Sequence, residues 1–198
     1  MSPKDVKKTS ISVRPLREVD DFSLVARYIY RSDDYIYPAW FGSEEIGARV
    51  IAEMIRRPTV YRKEHIKVAV SEGRIVGMVV SCVSPLRMTE NDLEAAFSAA
   101  GLPCDERTHE TFEDYYKEMC EEREGYYVAN IFVAEGARRQ GVATALLRDA
   151  VEGHPLCFLE CVKENVDALR LYLQLGFSVE KEYSGACAVP CFKMVRSV

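Results

Sequence analysis

Long apolar runs are missing from this sequence of 198 residues. The longest ones, residues 76–83 and 126–134, have the length of strands and fall well short of the roughly 18 residues that a membrane helix needs. The segment after Met1 carries lysines but no apolar stretch behind them, so the sequence predicts no secretory signal. Because 48% of the residues are hydrophobic and 29% are charged, the composition is typical of a globular protein. We expect one cytoplasmic domain over residues 1–198, without membrane contact.

An excess of positive charge is also missing. The 26 basic and 31 acidic residues give a net charge of −5, which argues against a nucleic-acid partner because such proteins usually present a basic face. The negative charge is concentrated in residues 104–124, which hold nine acidic and three basic residues. This segment is either a solvated helix face or a rim that attracts cationic molecules.

The signals of a metal site are absent too. The seven cysteines include no C-x-x-C pair, and neither Cys157/Cys161 nor Cys187/Cys191 has His or Asp neighbours at zinc-like spacing. The three histidines are scattered along the chain. We therefore predict no metal, and cysteines that stay free in a reducing compartment.

The spacing of apolar residues predicts an α/β protein with a mixed sheet. Strands are predicted at residues 11–15, 66–70, 75–83, 126–133, 156–162, 177–183 and 188–195, and helices after Asp20 or Asp21, after Ser43, twice within 84–125, over 143–151 and from Asn165 to Gly176. The alternation of strand and helix in the last third predicts a parallel pair, whereas the hairpins predict antiparallel ones. The aromatic-rich segment 31–42 shows no regular spacing and is expected to be irregular.

A loop between a predicted strand and a predicted helix has the character of an anion site. It reads Arg138-Arg139-Gln140-Gly141-Val142-Ala143. Unpaired amides at a helix N-terminus bind anions, glycine allows a close approach of the backbone, and arginine suits phosphates. Neither G-x-x-x-x-G-K-[ST] nor G-x-G-x-x-G occurs, which disfavours a P-loop and a dinucleotide fold. Taken alone, the loop is weak evidence for such a site, and a solvated basic turn is the simpler interpretation.

Two motifs in the correct order decide between these interpretations. The loop, preceded by Ile131-Phe132-Val133, resembles the Q/R-x-x-G-x-G/A signature of the GNAT acetyltransferase superfamily. Residues 159–177 resemble that family's L-x-V-x-x-x-N-x-x-A-x-x-L-Y-x-x-x-G-F motif, with Asn165, Tyr172 and Gly176 in place. The resemblance implies a three-layer fold, with a central mixed and mostly antiparallel sheet and helices on both faces. Residues 84–125 would then be a helical insertion between strands three and four.

The resemblance implies acetyl-CoA as co-substrate and assigns residues to its binding. The loop amides would hold the pyrophosphate, and the end of strand four would bind the pantetheine arm and polarise the thioester carbonyl. Asn165 would lie on the CoA side as well as capping its helix. The residues assigned to cofactor binding are Ile131, Phe132, Val133, Arg138, Arg139, Gln140, Gly141, Val142, Ala143, Thr144, Asn165 and Tyr172.

Proton transfer is only partly accounted for by the resemblance. Tyr172 matches the tyrosine that serves as general acid to the departing thiolate in the family. The positions at which several members carry a Glu or His base on strand four are Tyr127 and Ala129 here, and neither is a good base. A proton could leave through water or to a carboxylate from elsewhere, for which Asp33, Asp34 and Glu160 are candidates.

The acceptor region implied by the resemblance is aromatic and acidic. It contains Asp33, Asp34, Tyr35, Tyr37 and Trp40, which suit a cationic amine through charge pairing and cation–π contact. The aromatic residues are equally compatible with closing the core under a loop. We therefore expect an N-acetyltransferase that acts by direct attack of a small primary amine in a ternary complex. A sensor that binds acetyl-CoA without turnover, and transfer to a protein lysine or N-terminus, remain open. The resemblance also allows a homodimer.

Overall fold

The computed structural model describes residues 10–86, 88–119 and 123–198. Residues 1–9, on which the prediction about a secretory signal rests, lie outside the described residues. Within the described parts of the chain, each helix is too short or too polar to cross a bilayer.

One seven-stranded sheet forms the centre of the fold, in the order β1-β2-β3-β4-β5-β7-β6. Its strands are β1 Ile11–Pro15, β2 Ile66–Ser71, β3 Arg74–Ser84, β4 Gly125–Val133, β5 Leu156–Val162, β6 Ser178–Ser184 and β7 Pro190–Ser197. β4 and β5 pair in parallel, and the other neighbours pair antiparallel. The prediction of a mixed and mostly antiparallel sheet is confirmed.

Seven α-helices connect the described strands. They are α1 Phe22–Tyr30, α2 Ile36–Phe41, α3 Glu44–Ile55, α4 Glu90–Ala99, α5 Glu106–Met119, α6 Val142–Val151 and α7 Val166–Gln174. The Asp21 side chain accepts the Leu24 amide, and the Ser43 side chain accepts the Ile46 amide, so both act as the predicted caps. The prediction of an irregular segment over residues 31–42 is wrong in part, because α2 forms there.

The helices cover both faces of the sheet, as predicted. On one face α1 and α3 bury Ile29, Ile51 and Met54. On the other face α6 buries Leu146 and Leu147. Burying such side chains contributes about 1.5–3 kcal/mol each before the entropy of folding is subtracted.

The insertion between β3 and β4 consists of α4 and α5, and aromatic side chains anchor it to the body. Phe97 of α4 lies 5.9 Å from Phe41, measured between ring centroids. Phe112 of α5 lies 5.7 Å from Trp40. The insertion therefore packs over α2, and the core on this face extends into it.

Candidate functional site

β4 and β5 separate partway along their length. They pair only over Tyr126–Cys157, Tyr127–Phe158 and Val128–Leu159. Beyond these pairs, β4 stays paired with β3 and β5 stays paired with β7. The register of β3 against β4 shifts where Val80 faces Asn130 and Ser81 faces Val128, which leaves Ala129 as an extra residue. The result is a gap in the middle of the sheet.

The β4 side of this gap presents backbone hydrogen-bonding groups. The Ala134 amide donates to the Val76 carbonyl at 2.9 Å, so Ala134 points its backbone toward β3. Alternate residues of an antiparallel strand point to opposite neighbours. The backbone groups of Ile131 and Val133 therefore point into the gap, where an extended ligand can pair with them like a strand.

The predicted anion site lies next to this edge, at the N-terminus of α6. Gly141 precedes the helix with φ +85°, a conformation that favours glycine, and no side chain of the described residues caps the helix. The first intrahelical bond of this end runs from the Ala145 amide to the Gly141 carbonyl at 2.9 Å. The amides at positions 142–144 therefore have no intrahelical acceptor and are available to a ligand.

The loop side chains hold this anion site in shape. The Arg138 Nε donates to the Val133 carbonyl at 3.2 Å, and its guanidinium lies over the Phe132 ring at 5.9 Å. The Gln140 Nε2 donates to the Gly136 carbonyl at 2.9 Å. The positive charge is thus fixed beside the free amides.

The gap and the loop open into one cleft of about 950 Å³. Loop residues Arg138 and Arg139 contribute basic groups to its wall, and Asp34 and Glu160 contribute acidic ones from other elements. The predicted site residues that line the cleft are Asp33, Asp34, Tyr35, Tyr37, Ile131, Phe132, Val133, Arg138, Arg139, Ala143, Asn165 and Tyr172. Gln140, Gly141, Val142 and Thr144 lie in the adjoining loop and the first turn of α6.

Trp40 requires a correction, because it does not line the cleft. Its side chain is 3% exposed and packs against Phe41 and Phe112 at centroid distances of 5.9 and 5.7 Å. The helix α2 turns it toward the insertion, where it belongs to the core. Trp40 is thus a packing residue of α2.

The two aspartates of the linker before α2 differ in role. The Asp33 side chain accepts the amides of Tyr35 at 2.8 Å and Ile36 at 2.7 Å, which fixes the start of α2. Loss of hydration on burial raises the pKa of Asp33 above its ordinary value. Asp34 is exposed at the cleft. The hydroxyl of Tyr35 lies 3.5 Å from a carboxylate oxygen of Glu164.

A chain of hydrogen bonds, which sequence reasoning missed, supports the side of the cleft that α2 and the linker before it form. The Asn130 Nδ2 donates to the Ser32 hydroxyl and to the Tyr37 hydroxyl, both at 2.9 Å. The Tyr37 and Tyr61 hydroxyls are 2.9 Å apart. This network ties β4 to α2 through Asn130, next to the extra residue Ala129, and nothing in the local sequence around Asn130 signals it.

Tyr172 is buried in α7, with 7% of its surface exposed where it reaches the cleft. Its ring meets Phe177 edge-on at 6.1 Å. Burial, and secondarily the nearby Cys161, raises the pKa of Tyr172 well above its ordinary value. The phenol therefore keeps its proton at neutral pH. Asn165 caps the same helix by accepting the Ala168 amide at 3.1 Å.

Two thiols line the cleft as well, those of Cys161 and Cys191. Burial raises the pKa of each to about 11. Since the thiolate is the nucleophile, neither cysteine is suited to form a covalent intermediate at neutral pH. Among residues 10–86, 88–119 and 123–198, no three His, Cys, Asp or Glu side chains come together as metal ligands.

Tyr127, one of the two strand-four positions at which the sequence offered no good base, is held by a hydrogen bond. The Tyr127 hydroxyl donates to the Glu160 Oε2 at 3.0 Å. The Tyr127 ring stacks on Phe158 with a centroid distance of 5.3 Å. Both Tyr127 and Glu160 line the cleft.

The sequence matches a family model and a plant relative. Residues 30–177 match the family model described as Acetyltransferase (GNAT) family. The GCN5-related N-acetyltransferase 6, chloroplastic, of Arabidopsis thaliana is 45% identical over 58 residues, which are 27% of this chain. That match spans only 20% of the plant protein's length.

Solved structures share the whole architecture at low identity. An N-acetyltransferase from Staphylococcus aureus has a TM-score of 0.66 and 18% identity, covering 93% of this chain and 99% of that one. A chain in the crystal structure of the NatC complex bound to Gag peptide and CoA has a TM-score of 0.60 and 18% identity, covering 95% and 98%. At such identities the likeness shows the fold alone.

Proposed function

The chain belongs to the acetyltransferase (GNAT) family, and from that premise we propose that it transfers an acetyl group from acetyl-CoA to a primary amine. The observation that carries this proposal is the gap between β4 and β5, which opens directly onto the uncapped N-terminus of α6. A thioester with a long polar arm and a pyrophosphate needs these two features side by side.

The cofactor-binding residues fit acetyl-CoA by their chemistry. The free amides at 142–144, with Arg138 and Arg139, suit a doubly charged pyrophosphate. The backbone edge at Ile131 and Val133 suits the two amide groups of pantetheine. The cleft volume of about 950 Å³ leaves room for an acceptor beside the cofactor.

The reaction we propose is direct attack. The reacting amine first loses its ammonium proton to water. Its nitrogen lone pair then bonds to the thioester carbon while the carbonyl electrons move to oxygen, where a backbone amide of β4 stabilises the charge, and the nitrogen gives up a second proton as the amide forms. The carbonyl then re-forms, the C–S bond breaks, and the sulfur takes a proton from Tyr172. Holding both substrates in one cleft provides much of the rate through proximity.

The acceptor we propose is a small cationic amine. The support is the set of carboxylates and tyrosines on the side away from the loop, with Asp34 exposed and Tyr35 beside Glu164. A protein lysine or N-terminus is the second candidate, which the size of the cleft favours. The absence of a Glu or His at positions 127 and 129 favours the third, a sensor without turnover.

Calorimetric titration with acetyl-CoA tests the cofactor first, with NADH and ATP as controls. We expect saturable binding of acetyl-CoA alone. A folded protein that binds none of them would overturn the proposal.

Release of CoA then tests turnover, with a panel of polyamines and aminoglycosides set against a panel of peptides. We expect faster release with the small cations. Efficient transfer to peptides only would show that the acceptor is a peptide and not a small cation. Binding of acetyl-CoA without release of CoA in the presence of any amine would favour the sensor.

A further inference from the structure

The contact between Tyr127 and Glu160 bridges the two strands at the point where they separate. Tyr127 lies opposite Phe158 in the parallel register, and the last register pair is Val128 with Leu159. Glu160 is the next residue of β5, the first without a partner on β4. The 3.0 Å hydrogen bond between the Tyr127 hydroxyl and the Glu160 Oε2 therefore lies at the closed end of the gap.

Tyr127 and Tyr172 approach this point from opposite faces of the sheet. Successive residues of a strand point to opposite faces, so Glu160 and Cys161 do so on β5. Cys161 lies close enough to Tyr172 to raise its pKa, and both belong to the core beneath α6 and α7. Glu160 and its partner Tyr127 therefore reach the cleft from the face that carries α1 and α2.

The surroundings of Glu160 contain further charged and titratable groups. Lys193 of β7 is its register partner and is buried. Cys191 of β7 and Asp33 of the linker before α2 lie nearby, since the charges of Glu160 and Asp33 both raise the pKa of the Cys191 thiol. The pair thus lies on the same side of the cleft as the proposed acceptor residues.

We propose that Tyr127 and Glu160 together remove the proton from the attacking amine; this inference rests on the proposed function. As the new C–N bond forms, the nitrogen gives a proton to the Tyr127 oxygen, and the Tyr127 hydroxyl proton passes to the Glu160 carboxylate. Tyr172 protonates the sulfur on the other face, so one proton enters Glu160 as one leaves Tyr172. Exchange with solvent after product release restores both groups. The proton acceptor missing from the sequence of strand four is thereby supplied from β5.

The test uses the variants Tyr127→Phe and Glu160→Gln of the full chain. Each is expected to lower kcat by about 100-fold, the range of general acid–base catalysis, with the Kd for acetyl-CoA unchanged. The double variant is expected to lose no more than the worse single variant, because the two groups act as a unit. The loss should grow as the pKa of the acceptor amine rises, since such amines hold the proton more strongly.

Two matched variants control for the loss of a hydroxyl or a charge. Tyr126→Phe removes the neighbouring hydroxyl, which lies 3.0 Å from the Ser81 hydroxyl outside the cleft. Glu180→Gln removes a carboxylate of β6 that pairs with Arg123 at 2.9 Å. Both are expected to keep the wild-type kcat.

The outcomes separate the relay from the proposed function. If Tyr127→Phe and Glu160→Gln keep kcat within twofold, or change only the acceptor KM, the relay is wrong while the transferase stands. If one of the two variants fails to fold, the kcat of the other variant tests the relay by the same twofold limit. If the wild-type protein binds acetyl-CoA but acetylates no amine, the proposed function fails and takes the relay with it.

Discussion

The amide nitrogen of Asn130 donates a 2.9 Å hydrogen bond to the hydroxyl oxygen of Tyr37. The first residue belongs to β4, beside its extra residue, and the second belongs to α2. The bond therefore fixes the proposed acceptor side of the cleft relative to the strand on which the acetyl group is proposed to lie. Because Tyr37 also contacts the Tyr61 hydroxyl at 2.9 Å, its position is set from two directions.

Replacing Tyr37 by Phe should weaken both the fold and the acceptor site. The half-buried amide of Asn130 loses the Tyr37 hydroxyl as an acceptor and keeps that of Ser32, which costs about 0.5–1.5 kcal/mol in the free energy of unfolding. We expect the acceptor KM to rise while the Kd for acetyl-CoA stays constant. Urea unfolding and steady-state kinetics measure the two effects. Tyr30→Phe removes a hydroxyl from a neighbouring buried ring outside the cleft and should leave KM unchanged.

Replacing Gly141 by Asp should abolish binding of acetyl-CoA. The new carboxylate would stand beside the free amides of α6 and repel the pyrophosphate. Gly153→Asp is the matched control. Gly153 has a similar φ of +77° and follows the other end of α6, and a Cβ added at either glycine would meet open space. Calorimetry should find no binding for the first variant and wild-type binding for the second. An equal Kd for acetyl-CoA in the two folded variants would show that the loop at Gly141 does not bind the cofactor.

Replacing Tyr172 by Phe should lower kcat much more than it weakens cofactor binding. The expected loss is about 10²-fold, the lower end of general acid catalysis, because the departing thiolate then lacks its proton donor. Rates with acetyl-CoA and calorimetry with CoA separate the two quantities. An unaltered kcat would make Tyr172 a packing residue of α7.

The same variant should change the stability of the protein in alkali. Burial raises the pKa of Tyr172, so the folded state keeps a proton that the unfolded chain loses near pH 10. The contribution of the protonated Tyr172 to the free energy of unfolding is fully present below about pH 10. It is lost as the pH rises further, since the folded state then binds more protons than the unfolded state. Above about pH 10 the wild type should lose up to about 1.4 kcal/mol per pH unit more than Tyr172→Phe. Urea unfolding at pH 8, 10 and 11 measures this, and parallel curves would contradict it.

Local sequence signals predicted much of the fold. The caps at Ser43 and Asn165 depend on residues within three positions of them, so their chemistry is visible in the sequence. The strands around the gap have strong apolar runs, and β5 was predicted with the bounds that the structure has. Gly141 was recognised because glycine lets the backbone approach a ligand closely, and the structure adds that its φ of +85° favours glycine.

Contacts between distant segments explain what the sequence did not predict. Trp40 is aromatic in an acidic stretch, which suggested a cation site, but its partner Phe112 is 72 positions away in the insertion. Tyr127 was judged a poor base by itself. Only the parallel register of β4 and β5, which no local pattern specifies, brings it to Glu160.

The separation of β4 and β5 also has a mechanical consequence. Four strands, β1 to β4, lie on one side of the gap and three, β5 to β7, on the other, and only three register pairs between β4 and β5 join the two halves. The two halves can therefore pivot about the closed end more easily than either half can bend, since the strands within each half pair over longer stretches. A ligand that lies in the gap between β4 and β5 would contact both halves of the sheet and restrict their relative motion. We therefore expect amide hydrogen exchange along both β4 and β5 to slow together when the cleft is filled.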